Sequence, residues 1–209
     1  MAKTQNGVTI SLSNAKLGGF IPCVNLPPVI TCRTGAPCQK GCYACKGHYL
    51  YANVQKSLTD NLNAFKGDLT AYFNDIIDFL KNGLVIYRFF RWHSSGDIVN
   101  TDYLAGVVRV AQECKNTRFL IFTKKFELVN DFIKTGGEIP ENLNVVFSAW
   151  DKDFKVENPY NLPVAYVDFK DKSKNPQIPV TAFKCSGNCE KCLACWNIQK
   201  GQATVFNQH

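Results

Sequence analysis

Nine of the ten cysteines lie in two short stretches, and their spacing is that of thiolates gathered on one centre. The first stretch is Cys32-x5-Cys38-x3-Cys42-x2-Cys45, with Cys23 upstream, and the second is Cys185-x3-Cys189-x2-Cys192-x2-Cys195. Pro37, Gly41, Gly47 and Gly187 supply the tight turns that fold neighbouring sulfurs inward. Soft sulfur ligands select iron–sulfur clusters or zinc over hard cations. Structural zinc usually takes two well-separated C-x2-C knuckles, a pattern that neither stretch shows. Disulfides need an oxidising compartment, and the polar opening MAKTQNGVTISLSNAKLGG has no apolar export core. Cys189, Cys192 and Cys195 repeat the ferredoxin triplet, with Cys185 placed before it, where it serves either that cluster or the other. The expectation is two [4Fe–4S] clusters, one drawing on Cys32, Cys38, Cys42 and Cys45 and one on Cys189, Cys192 and Cys195, with Cys185 on either and zinc as the alternative. Cys114 sits on an apolar helical stripe and reads as core, as does Cys23 within IPCVNLPP.

Charge is distributed unevenly. Residues 1–59 contain Lys3, Lys16, Arg33, Lys40, Lys46 and Lys56 and no acid, which accounts for most of the net charge of +7. Together with Lys184 and Lys191, several of these cations would offset negative clusters. The same acid-free segment suggests contact with nucleic acid.

The elements that must position these residues are read from periodicity. One domain over residues 1–209 is expected, in three parts: a Cys-rich basic segment at 1–48, a βα core at 49–170 and a C-terminal Cys-rich segment at 171–209. Helices are predicted where Val54, Leu58, Leu62 and Phe65 recur, over Leu69–Leu80 with Asp68 as N-cap and Asn82-Gly83 as stop, over Tyr103–Cys114 and over 126–135. Strands are predicted at Leu84–Trp92, 119–123, 144–149 and 164–169. This alternation implies an α/β fold with a mostly parallel sheet. No glycine-rich dinucleotide loop or P-loop follows a strand, and no nucleophilic triad, carboxylate pair or metalloprotease motif is present. No apolar run reaches the roughly 18 residues a membrane span needs, so a cytoplasmic protein is expected.

Ligands of parallel α/β folds gather at the carboxyl ends of strands. Here those ends are His93 to Asp97, Thr123-Lys124-Lys125, Ser148 to Asp151, and Asp168. His93, one of three histidines, is a candidate for proton transfer or substrate positioning. Lys124 is a candidate partner for a substrate carboxylate or phosphate. His48 beside the first Cys loop is a weaker candidate, and the terminal His209 is expected to be idle.

The Cys38-x3-Cys42-x2-Cys45 spacing resembles that of radical S-adenosylmethionine enzymes. The resemblance implies a small or partial (βα) barrel with Pro28–Thr31 as first strand. It also implies a cluster with one open iron for S-adenosylmethionine, with Asp97, Ser95 and Gly96 orienting that cofactor and a reductant protein as partner. Ala44 stands where that superfamily carries an aromatic residue, and Cys32 would close the open site. Over residues 16–206 the chain is more similar to the gene product 88 family of phages and mobile elements. The shared blocks are KLGG (16–19), GCYAC (41–45), RWHSSGD (91–97), RFLIFTKKF (118–126), NVVFSAW (144–150) and CSGNCEKCLACW (185–196). If the gene is carried by a phage, that likeness implies the cytoplasm of its host; it implies no activity. Three functions therefore stand as expectations: an iron–sulfur enzyme acting on an unknown small-molecule or macromolecular substrate, an iron–sulfur electron carrier or sensor, and a zinc-stabilised nucleic-acid binder.

Overall fold

Residues 1–12 and 14–208 are described in a computed structural model; His209 lies outside them. Among the described residues nine strands join one sheet in the order β1-β2-β3-β4-β5-β6-β7-β9-β8. Strands β1 (Ala2–Lys3), β2 (Thr9–Ser11) and β3 (Cys23–Val24) pair antiparallel. From β3 onward every pairing is parallel, through β4 (Phe89–Trp92), β5 (Arg118–Thr123), β6 (Leu143–Ser148), β7 (Val164–Asp168) and β9 (Ala203–Asn207) to β8 (Phe183–Lys184). Helices α1 (Ala52–Gly67) and α2 (Leu69–Asn82) connect β3 to β4, α3 (Thr101–Glu113) connects β4 to β5, and α4 (Phe126–Lys134) connects β5 to β6. The short helix α5 (Cys189–Cys192) lies between β8 and β9.

Strand alternation sorts the side chains into two layers. Phe90, Trp92, Phe119, Ile121, Val145 and Phe147 pack with the apolar stripes of α1, α2 and α3, including Phe65, Phe73, Ile76 and Leu104. Leu120 and Val146 face the other way, onto Leu17, Ile21, Trp196 and Ile198. Trp196 is fixed there because its Nε1 donates to the Phe90 carbonyl at 3.1 Å, giving a buried N–H its partner. Asp68 caps α2 by accepting from the Ala71 N–H at 2.9 Å.

The mostly parallel α/β sheet agrees with the sequence reading, and three of its details need correction. The strand expected over Leu84–Trp92 begins only at Phe89, and Leu84, Val85 and Ile86 are exposed. Pro28–Thr31 forms a turn, not a strand; the first parallel strand is β3. Two consecutive prolines, Pro27 and Pro28, remove the donors a ladder would use there. The third correction concerns the Cys-rich loops as carriers of metal clusters. Among the described residues no three His, Cys, Asp or Glu side chains are grouped so as to hold a metal ion, and all ten cysteines are free. Cys23 and Cys114 are core residues, as the sequence reading expected, each buried among apolar side chains. Among the described residues no helix is long and apolar enough to cross a membrane.

Candidate functional site

The carboxyl end of β4 runs into a turn that is bound to β3 on every side. The His93 N–H donates to the Val24 carbonyl at 2.9 Å, and the Leu26 N–H donates to the Ser95 carbonyl at 2.9 Å. Asn25 Oδ1 accepts from the N–H groups of Ser94 (2.7 Å) and Ser95 (3.2 Å), and Ser95 Oγ donates to the Leu26 carbonyl at 3.0 Å. Gly96 completes the turn at φ +87, where a Cβ would lie 2.7 Å from Leu26 Cβ and 2.8 Å from the Leu26 carbonyl oxygen. Only glycine meets both the positive φ and the lack of space. Asn25 was not singled out in the sequence; an asparagine beside two prolines signals a turn and says nothing of which backbone it will hold.

Asp97 follows, fully buried, and both its oxygens are engaged. Oδ1 accepts from the Ile98 N–H at 2.8 Å and Oδ2 from the Lys124 N–H at 3.0 Å, while the Thr123 hydroxyl adds a third donor. Burial pushes its carboxyl above the usual range, and these donors with the Lys124 charge pull the other way. Asp97 therefore ties the end of β4 to the end of β5 and fixes the Lys124-Lys125 step.

Those two lysines diverge. Lys125 Nζ donates to the Val99 carbonyl at 3.1 Å, and burial lowers its pKa against the opposing pull of Asp97 and Cys32. Lys124 Nζ donates to Ser148 Oγ at the end of β6 at 2.9 Å and lies 5.3 Å from the centroid of the Trp150 ring. Beside them, Arg33 is committed to Glu127, at 2.6 Å and 2.7 Å, and to the Lys124 carbonyl at 3.1 Å. Among the described residues Lys124 has no carboxylate partner. Asp168, the fourth strand end, is taken by Asn175 and Lys172.

His93 does not face this surface. Its φ of +60 breaks the strand alternation and turns the ring back under the sheet, where Nε2 lies 2.9 Å from the Tyr103 hydroxyl and that hydroxyl lies 3.1 Å from Tyr72. Complete burial, with Arg91 and Lys125 nearby, brings its pKa down to about 3, so the imidazole is neutral. Its Nδ1 is buried with no hydrogen-bond partner among the described residues. Tyr103, half of this pair, gave no sequence signal beyond its place on an apolar stripe. His48 is exposed and packs its ring edge-on to Tyr51 at 5.3 Å.

Two kinds of environment divide the first thiol stretch. Cys32 and Cys38 are half-buried at the strand ends, within electrostatic range of Asp97, with Lys124 acting on Cys38. Burial pushes Cys32 up to about 11 and raises Cys38, so both are protonated thiols at neutral pH. Cys42 and Cys45 stand at the two ends of the Tyr43–Cys45 turn, with Cys45 exposed. Tyr43 anchors that turn through its hydroxyl, which donates to the Ser94 carbonyl.

The second stretch packs on the layer of Leu120 and Val146. Cys189 and Cys195 pack with Trp196 and Leu193, Cys185 accepts from the Gly187 N–H at 3.4 Å, and Cys192 is exposed. Burial pushes Cys195 up to about 12 and raises Cys189. The expectation that Cys32, Cys38, Cys42 and Cys45, or Cys185, Cys189, Cys192 and Cys195, hold [4Fe–4S] clusters or zinc is therefore corrected, because no such ligand grouping forms among the described residues. The physical reason is the division just described, in which buried thiols are kept protonated against apolar neighbours while Cys45 and Cys192 face outward. The redox and S-adenosylmethionine roles that rested on such clusters fall with them. Ser95 and Asp97, assigned to that cofactor by resemblance, spend their side-chain oxygens on the protein's own backbone.

No likeness to radical S-adenosylmethionine enzymes emerged from comparison with known proteins. No curated protein and no solved structure matches the chain. Residues 1–198 match the family model described as Gene product 88.

Proposed function

Because the chain belongs to the gene product 88 family, whose description names no chemistry, we propose a function from the site itself: it binds a small ligand through a carboxylate or phosphate group at the carboxyl ends of β4, β5 and β6, with Lys124 making the charge contact. The observation that supports this is an ammonium oriented by Ser148 and Trp150 that forms no direct ion pair among the described residues, Asp97 acting on it only from a distance. Ser148 uses one of its three donors, so the others are available to an anion. Cys32 and Cys38 beside it stay neutral and do not compete as counter-charges. In this reading Asp97 and Gly96 are positioning residues that hold the Lys124 backbone. Titration calorimetry with inorganic phosphate and with a small dicarboxylate tests the proposal on the wild type and Lys124→Gln. Loss of one charge-assisted hydrogen bond is expected to weaken binding by about tenfold or more. Equal affinity in both proteins, or no binding of either probe by the wild type, would overturn it.

A second reading, contact with nucleic acid, is favoured by one observation. Lys40 and Lys46 are exposed without acidic partners among the described residues, and they flank a turn that carries the exposed ring of Tyr43, with exposed Tyr51 just beyond. Cations interleaved with aromatic rings suit single strands. Binding of a labelled oligonucleotide whose affinity does not fall with salt would exclude this reading.

A further inference from the structure

We propose that Cys42 and Cys45 form a redox-active dithiol, a modification site at which a small-molecule disulfide converts the pair to an intramolecular disulfide. Three features of the turn support it. The Cys45 N–H donates to the Cys42 carbonyl at 3.1 Å, closing a tight turn that starts and ends on cysteine. Such a closure brings the two Cα atoms within about 7 Å, and disulfides span roughly 4.4–6.8 Å between Cα atoms, so the backbone is already in range. The two thiols are close enough to act on each other, burial together with Cys42 raising the Cys45 thiol.

The pair is also asymmetric in access. Cys45 is exposed and Cys42 half-buried, which assigns the attack to Cys45 and the resolving step to Cys42. The turn between them is anchored, since Ala44 is buried and the Tyr43 hydroxyl is bound to the Ser94 carbonyl. Among the other cysteines, Cys192 is likewise exposed with a cysteine three positions away on either side, and it serves as the internal comparison.

The chemistry balances with a disulfide such as oxidised glutathione as the oxidant. The Cys45 thiolate attacks one sulfur of that disulfide, forming a mixed disulfide and expelling one small thiolate. The Cys42 thiolate then attacks the Cys45 sulfur, forming the Cys42–Cys45 bond and expelling the second. The protein loses two electrons, the small disulfide is reduced, and the two protons from the cysteines end on the two released thiols.

The experiment uses the full chain, reduced, desalted and exposed to limiting oxidised glutathione. Free thiols are then trapped with iodoacetamide, and the protein is digested with trypsin. Cleavage after Lys40 and after Lys46 isolates Gly41–Lys46, which carries Cys42 and Cys45 and no other cysteine. The expected result is that this peptide is the first to escape alkylation, as an intramolecular disulfide without glutathione. In Cys42→Ser the peptide should instead arrest as a mixed disulfide on Cys45, whereas Cys45→Ser should leave Cys42 largely alkylated. If Gly41–Lys46 stays fully alkylated while peptides containing Cys192 oxidise, or if Cys42→Ser shows no mixed disulfide on Cys45, the proposal fails. The readout is chemical and independent of ligand binding at Lys124.

Discussion

The neutral, buried His93 makes a quantitative demand on stability in acid. Its folded pKa lies near 3, against an unfolded value of 6.5, so between those limits the unfolded chain binds a proton that the native chain refuses. Stability from this group is thus fully present at neutral pH, falls below the unfolded pKa and continues to fall until the folded pKa is reached. Moving from neutrality to about pH 4.5 crosses two units of that window, a loss of about 3 kcal/mol. Asp97 acts in the opposite sense, because burial raises its pKa and acidification favours the fold that protonates it. A comparison of wild type with His93→Asn cancels Asp97 and the exposed carboxylates. Asparagine tolerates the φ of +60 at this position and does not titrate. Urea unfolding of both proteins at neutral pH and in mild acid should therefore show wild type losing about 3 kcal/mol more than the variant, whatever their difference at neutrality. Parallel losses in the two proteins would refute the argument that burial holds the imidazole neutral.

Two other perturbations follow from the geometry around it. Gly96→Ala introduces a Cβ 2.7 Å from Leu26 Cβ at a φ of +87 and should destabilise the protein by about 3 kcal/mol, read as a lower urea midpoint. Asn61→Ala removes a buried amide that accepts from the Thr9 N–H at 2.7 Å and donates to the carbonyls of Thr9 (3.0 Å) and Asn25 (2.9 Å). Its loss should cost roughly 2–4 kcal/mol and speed amide exchange at Thr9, and unchanged exchange there would mean that the N-terminal strands are held by other contacts.

Much of the scaffold was legible in the residues. Each of α1 to α4 carries a full apolar stripe, and β5, β6 and β7 each present runs long enough to show themselves. Strands β1, β3 and β8 have only two residues each, too few for any period to appear. The exposed Leu84, Val85 and Ile86 mimicked the start of β4, because apolar content alone does not distinguish a strand from the bend that precedes it. The strand ends were legible as places, since parallel topology brings Asp97, Lys124 and Ser148 together. Their hydrogen bonds were not, because spacing along the chain does not say whether a carboxylate will face a ligand or a neighbouring backbone N–H. The thiols show the same limit: Cys42 and Cys45, three positions apart, come within range of each other, but burial and direction keep the longer stretches from gathering on one centre. His93 is the clearest instance, because one left-handed residue reversed the face its ring was expected to present.

The strand order has a consequence for assembly. From β3 to β7 each new strand docks on the one made just before it, so that half of the sheet can grow in the order of synthesis. Strand β8 breaks the rule: its ladder partner is β9, which follows it in the chain and inserts between β7 and β8. The thiol-bearing loop from Cys185 to Cys195 therefore hangs from a strand that has no ladder until β9 is in place. A nascent chain halted before Ala203 would leave Cys185 without the Val205 carbonyl to which its N–H donates, making its accessibility a clock for completion of the sheet.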